Sequence, residues 1–397
     1  ARAPSESVRA QSGGDAESSF SEAMGHYRRG RERYRQQTRI GNEQAIESYA
    51  LALAADPEFA LAHAGLVNAY ALRVIRYGFE PRWRHEAEAA ARWALRLDPA
   101  LPEAHKAQGL LHDLDERLEP ALESYRRALE LHPGYVEAAY NASTTAFALG
   151  RWDEAVDYQL RDVERPNGRA ALAILLFELG LEASGRELAS EVLELEPLHG
   201  YLGSYLALRS TLDGGLDRGR RQAERLAQAY PTWWRPRWVL AEIALREDDA
   251  DAALAEYTAA VELSGEGDWE AALGLAAVLN RGGEKARAET LMESIEADAT
   301  ARLEAGSTWH VHSFRLAAIA ALRGQRQTAI EHFAAAFAAG RLSPSWDAVH
   351  PALASVRSDP DFEALLEGMR ERIDQQRQAV LAKTDFASLS ARIRPRS

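Results

Sequence analysis

The chain has 397 residues, of which 46% are hydrophobic and 27% charged, and it contains no cysteine. This composition is typical of a globular protein, and the lack of thiols excludes disulfides, thiolate metal sites and a cysteine nucleophile. The formal net charge of −13 argues against non-specific binding of nucleic acid, because phosphates would be repelled. No apolar run is long enough to span a bilayer.

Both ends of the chain differ in character from its middle. Residues 1–19 are small and polar without periodicity, which predicts a flexible lead-in of the kind that follows a cleaved signal peptide or a membrane anchor. An ordinary disordered terminus is the alternative. Residues 384–397 are polar and basic, and we predict a flexible tail there. The sequence does not assign the protein to a compartment, but it favours a periplasmic or membrane-anchored location over a cytoplasmic one.

Between these ends the sequence repeats with a period of about 34 residues. The repeat is marked by prolines at Pro57, Pro99, Pro133, Pro166, Pro197 and Pro231. A small–large–small set of side chains at i, i+4 and i+7 precedes the proline, as in Ala121, Tyr125 and Ala128. This spacing places the set on one face of a helix, and the small members allow a neighbouring helix to approach closely. The proline then ends that helix.

This pattern strongly resembles the tetratricopeptide repeat, in which two antiparallel helices form each unit. The resemblance implies an all-α superhelical solenoid, and we count about nine helix hairpins in residues 20–340. Residues 341–383 are predicted to form a C-terminal capping segment with a final amphipathic helix. The stretches 58–72 and 350–366 are similar to repeat arrays of bacterial multidomain regulators and anchored proteins.

The sequence offers no signature of catalysis. Phosphate-binding glycine loops, nucleophile elbows and kinase motifs are missing, and the acidic clusters lack the spacing of a calcium loop. His310 and His312 are two residues apart and would point to different sides of a helix, so we interpret them as surface or groove residues. We therefore predict a protein that is not an enzyme, with no catalytic residue, cofactor or metal.

The resemblance also implies a concave groove, lined by the first helix of each hairpin. Aromatic and arginine side chains fall at the groove positions of several repeats, and such residues dominate the energetics of protein interfaces. Packing against the preceding hairpin is the alternative for each aromatic. The predicted partner-binding residues are Tyr140, Tyr201, Arg235, Trp238 and Trp269.

The groove does not match that of the chaperone-binding members of the family. Those members clamp a C-terminal carboxylate with basic and asparagine side chains. Here Asn68 and Lys106 are fragments of that set, whereas Glu103 and Glu137 stand where a lysine would be needed. We therefore exclude a chaperone tail as the partner.

A basic stretch near the beginning interrupts the acidic background. Residues 27–39 are rich in arginine, and Arg28, Arg31, Arg35 and Arg39 are predicted to share one helical face. That face is either simply solvated or a docking site for anionic lipids or an acidic partner. Membrane association would otherwise come through an anchor upstream of Ala1.

These observations predict a non-catalytic scaffold that binds a partner protein or peptide in its concave groove, within a larger bacterial assembly and without nucleic acid. A sensory module of a signalling protein is one alternative, which requires an output domain outside this chain. A binder of small molecules or glycans that uses the tryptophans is another.

Overall fold

The structure is a computed structural model, and it describes residues 6–77, 81–264 and 268–386. All regular structure in these ranges is helical, which confirms the predicted all-α class. Contacts between the helices divide the chain into two compact units, residues 1–145 and residues 146–397. None of the helices described below combines the length and apolar character needed to cross a bilayer.

The helices of the described residues form nine consecutive hairpins, as the sequence predicts. The hairpins are α1 (Glu6–Arg35) with α2 (Arg39–Ala55), α3 (Ala60–Tyr77) with α4 (Pro81–Leu97), α5 (Pro102–Leu114) with α6 (Leu118–Leu131), α7 (Val136–Ala148) with α8 (Trp152–Gln159), α9 (Pro166–Glu178) with α10 (Glu182–Leu195), α11 (Gly200–Asp213) with α12 (Leu216–Ala229), α13 (Arg235–Arg246) with α14 (Ala250–Ser264), α15 (Trp269–Arg281) with α16 (Lys285–Glu304), and α17 (His310–Leu322) with α18 (Arg326–Ala338). A C-terminal segment follows with α19 (Pro344–Asp347), a 3₁₀ turn (Pro351–Leu353) and α20 (Pro360–Lys383).

In several places a ring on one helix lies over a small residue of a neighbouring helix. Tyr125 on α6 is fully buried, and a Cβ atom added to Gly109 of α5 would lie 2.5 Å from its ring. Tyr257 on α14 covers Gly274 of α15 in the same way, at the junction with the next hairpin. Glycine at these positions lets the helices approach until the ring fills the space between them.

Glycines in the left-handed conformation follow the first helices of several hairpins. Gly150 follows α7 with a φ of 68°, and Gly324 follows α17 with a φ of 74°. This left-handed conformation is favourable for glycine and directs the chain into the second helix.

The final helix covers the last hairpin, which confirms the predicted cap. Phe362 of α20 lies 4.7 Å from Phe333 of α18 between ring centres. Phe362, Leu366 and Met369 are all buried on one face of α20.

The beginning of the chain differs from the prediction. Residues 6–19, expected within a flexible lead-in, form the first turns of α1. Once the later part of α1 is packed, extending the helix adds one hydrogen bond for each residue that is fixed. Residues 1–5 and 387–397, which belong to the two predicted flexible ends, lie outside the described residues.

The predicted arginine face is also interrupted. α1 ends at Arg35, the chain turns at Gln37 with a φ of 52°, and Arg39 begins α2. Arg39 therefore does not share a helical face with Arg28, Arg31 and Arg35, and the prediction of one continuous basic face is wrong.

The close approach at Gly109 is testable by substitution. Gly109→Ala is expected to destabilise the first unit by about 1–3 kcal/mol, because overpacking against Tyr125 outweighs a helix-propensity gain of about 1 kcal/mol. Gly25→Ala in α1 is the control, since no atom lies within 4 Å of the added methyl group, and it is expected to stabilise. Urea denaturation followed by circular dichroism measures both changes. Equal shifts in the two variants would contradict the packing argument.

Candidate partner-binding site

Three aromatic side chains of the second unit surround Arg235. Its guanidinium carbon lies 5.5 Å from the ring centres of Tyr201 and Trp238 and 5.7 Å from that of Trp234. Trp234 and Trp238 are one helical turn apart, and their rings meet edge to face at 6.0 Å. We call these four residues the Arg235 cluster. Arg235 and Trp238 lie on α13, and Trp234 immediately precedes that helix. Tyr201 lies on α11.

The Arg235 cluster is open to solvent on one side and supported by the core on the other. Tyr201 is 55% exposed and the side chain of Arg235 is 28% exposed, whereas both tryptophans are half-buried. Trp238 packs against a small core cluster that contains Ala207 and Val239. The cluster therefore presents aromatic surface that is already fixed in position.

Acidic groups on α15 border the cluster. A Glu270 oxygen lies 3.9 Å from Arg235 Nη2. Asp268 caps α15 by accepting hydrogen bonds from the backbone amides of Glu270 and Ala271. Burial raises the pKa of Asp268 to about 6, and the charge of Glu270 adds to this shift. Arg235 thus faces a carboxylate that a ligand would have to accommodate or replace.

The structure brings together three of the five predicted binding residues, namely Tyr201, Arg235 and Trp238. Trp269 is the first residue of α15, the first helix of the following hairpin. Its ring is half-buried and packs edge to face on Phe314, with 5.9 Å between the ring centres. Tyr140 lies on α7 in the first unit and is 41% exposed.

The chain's own C-terminal segment packs against the first helix of several hairpins in the second unit. The first of these contacts is with α17. The guanidinium carbon of Arg341 is 3.4 Å from the ring centre of Phe314, and His350 contacts the same ring edge to face at 5.2 Å. Arg341 also pairs with Asp347, which is completely buried. We call residues 341–350 the groove segment.

The groove segment also reaches α9 and α13. The side chain of Trp346 lies beside the Glu178 carboxylate at the end of α9, where it lowers the Glu178 pKa against the larger rise that burial causes. The backbone carbonyl of Val349 accepts one from Arg246 Nη2, at the end of α13, over 3.3 Å. Part of the groove predicted for a partner is therefore occupied by the protein itself. No repeat pattern in the sequence indicates this, since Arg246 and Val349 are 103 positions apart.

Of the two histidines interpreted as surface or groove residues, His312 is buried, whereas His310 is half-buried beside Arg341 of the groove segment. His312 is 2% exposed and packs edge to face on Trp309. Burial lowers the pKa of His310 to about 3, and the charge of Arg341 adds to the shift. Over the part of the chain that the structure describes, no group of three or more His, Asp or Glu side chains is placed to hold a metal ion.

No protein-family model and no curated protein matches the chain. Among solved structures it is similar to the MamA protein, at a TM-score of 0.32 and 18% identity over 45% of this chain and 93% of the other. It is similar to human IFIT1, solved as a dimer with PPP-AAAA, at a TM-score of 0.46 and 16% identity over 86% of this chain and 87% of the other. It is also similar to pilF of Pseudomonas aeruginosa, at a TM-score of 0.39 and 20% identity over 53% of this chain and 96% of the other. The nine hairpins and their buried small–large–small side chains define an α-solenoid of the tetratricopeptide type.

Acidification is expected to weaken the docking of the groove segment. Burial, followed by the charges of Arg341 and Arg246, lowers the pKa of His350 to about 3. A histidine that is neutral when folded binds its proton more readily when unfolded, so stability falls as the pH drops below about 6.5. By pH 5 this residue alone accounts for a loss of about 2 kcal/mol.

His350→Asn isolates this contribution, because asparagine keeps an acceptor for the Ala352 amide that His350 now binds. Free energies of unfolding at neutral and acidic pH, measured by denaturant titration, should fall less in the variant than in the native chain. The same fall in both proteins would show that His350 is not held neutral.

Proposed function

We propose that the chain is a non-catalytic interaction scaffold whose partner, a protein or a peptide, docks on the Arg235 cluster. Tryptophan, tyrosine and arginine are the residues that most often carry binding energy at interfaces. The observation that carries the proposal is their direct contact here, with Tyr201 more than half exposed beside Arg235.

The geometry of the cluster favours binding over a purely structural role. The rings around Arg235 restrict its guanidinium, so less side-chain freedom is lost when a ligand is bound. Tyr201 offers a broad aromatic surface and a hydroxyl group with only two rotatable bonds to fix. A residue that served only to pack the hairpin would be expected to turn its ring inward, as the 2% exposed Trp152 does.

The charges around the cluster favour a polypeptide over nucleic acid. The net charge of the chain is −13, and Glu270 lies beside the one arginine of the cluster. Both would repel phosphates. A partner carboxylate or backbone carbonyl would instead compete with Glu270 for a single guanidinium group, which donates in a planar fork.

Substitutions in the Arg235 cluster test this proposal. The partner is first captured from native extract on the full-length chain and identified by mass spectrometry, and its affinity is then measured. Tyr201→Ala and Arg235→Ala are each expected to cost about 2 kcal/mol of binding, about thirtyfold in affinity. The melting temperature of Tyr201→Ala should stay unchanged, because its ring is mostly in solvent.

Two control variants separate binding from folding. Trp93→Ala removes a 47% exposed ring of α4 in the first unit and should leave both affinity and melting unchanged. Trp152→Ala removes a buried ring and should cost about 3–5 kcal/mol of stability. Native affinity in both cluster variants would exclude the Arg235 cluster as the docking site.

A further inference from the structure

Helix α20 is attached to a hairpin that lies far earlier in the chain. Gln376 Oε1 accepts hydrogen bonds from the backbone amides of Trp152 and Asp153, the latter over 3.2 Å, and Gln376 Nε2 donates to the carbonyl of Gly150 over 2.9 Å. One side chain therefore caps the beginning of α8 and satisfies the preceding turn, 226 positions away.

Two further contacts extend this attachment. Arg377 Nη1 donates a hydrogen bond to the carbonyl of Leu179, which follows α9, over 3.3 Å. Near the end of α20, Lys383 Nζ lies 3.1 Å from an Asp157 oxygen on α8. α20 thus joins the C-terminal end of the second unit to α8 and to the end of α9, which lie near the beginning of that unit.

The backbones of two glycines meet at the same junction. A Cβ atom on Gly150 would lie 2.4 Å from the carbonyl oxygen of Gly340, and one on Gly340 would lie 2.5 Å from that of Leu149. The turn that follows the ninth hairpin therefore touches the turn inside the fourth. The hairpins between them form a closed ring.

The groove segment begins at this junction and crosses the ring, but it leaves polar groups of the groove without partners. His310 Nδ1 and Arg246 Nε are both buried and have no hydrogen-bond partner. Buried polar groups in this condition oppose the docking of the segment, because they have lost water without gaining a replacement. A different segment that supplied acceptors or donors there would bind the groove more tightly than the chain's own.

We propose that residues 341–383 are an intramolecular clasp that closes the groove of the second unit, and that a partner peptide enters the groove only when the clasp is released. The groove segment shows which chemistry this peptide must have. It carries a cation for the face of Phe314 and an indole ring that lies beside the Glu178 carboxylate. This peptide site involves none of the Arg235 cluster, so the two proposals fail independently.

A fluorescently labelled peptide that copies residues 341–353 tests the clasp, with binding to the full-length chain followed by anisotropy. We expect no measurable binding to the native chain. Trp346→Ala removes the contact with Glu178, and Gln376→Ala releases α20 from α8. Each is expected to bind the peptide at least tenfold more tightly than the native chain. Gln375→Ala, an exposed neighbour on α20, is the matched control and should behave like the native chain.

Hydrogen exchange shows whether the clasp has been loosened. In Gln376→Ala the amides of Trp152 and Asp153 should exchange at least tenfold faster, with circular dichroism unchanged. Unchanged exchange there would overturn the clasp. Equal peptide binding by the native chain and the variants would show that the groove is already open. No binding by the loosened, folded variants would show that the groove accepts no separate segment. Either result overturns the proposal.

Discussion

The contact between an aromatic ring and a glycine or alanine on a neighbouring helix sets the spacing of every hairpin in which it occurs. Tyr49 lies against both Gly30 and Gly65, so one ring fixes the approach of a helix within its own hairpin and of one in the next. Because side chains in a close-packed interior cannot shift independently, this spacing determines which side chains remain at the surface.

The second unit departs from the behaviour expected of an open array. In a linear solenoid each repeat contacts only its neighbours, so stability is close to a sum of local terms. Here Gln376 and the contact between Gly150 and Gly340 join the two ends of the unit. Loss of one interface is therefore opposed by the others around the ring, and the hairpins of this unit are expected to open together.

The sequence predicted the hairpins well because each repeat encodes its own packing over a short stretch. The same register assigns Tyr201, Arg235 and Trp238 to groove positions, and the structure places these three side chains together; their role in binding stays a prediction. In the fifth hairpin Gly185 of α10 stands where the pattern has alanine, and the structure places it against the ring of Phe177 on α9. The docking of the groove segment could not be predicted, because contacts between residues a hundred positions apart have no periodic signature.

The meeting of the two glycines also limits how this protein can change in length. Open solenoids gain or lose whole repeats at little cost, because a new hairpin simply displaces the end of the array. Between Gly150 and Gly340 an added hairpin would separate two backbones that are now in contact, and a deleted one would force them to overlap. The number of hairpins in the second unit is therefore fixed by geometry, so the ring can vary in sequence but not in repeat number.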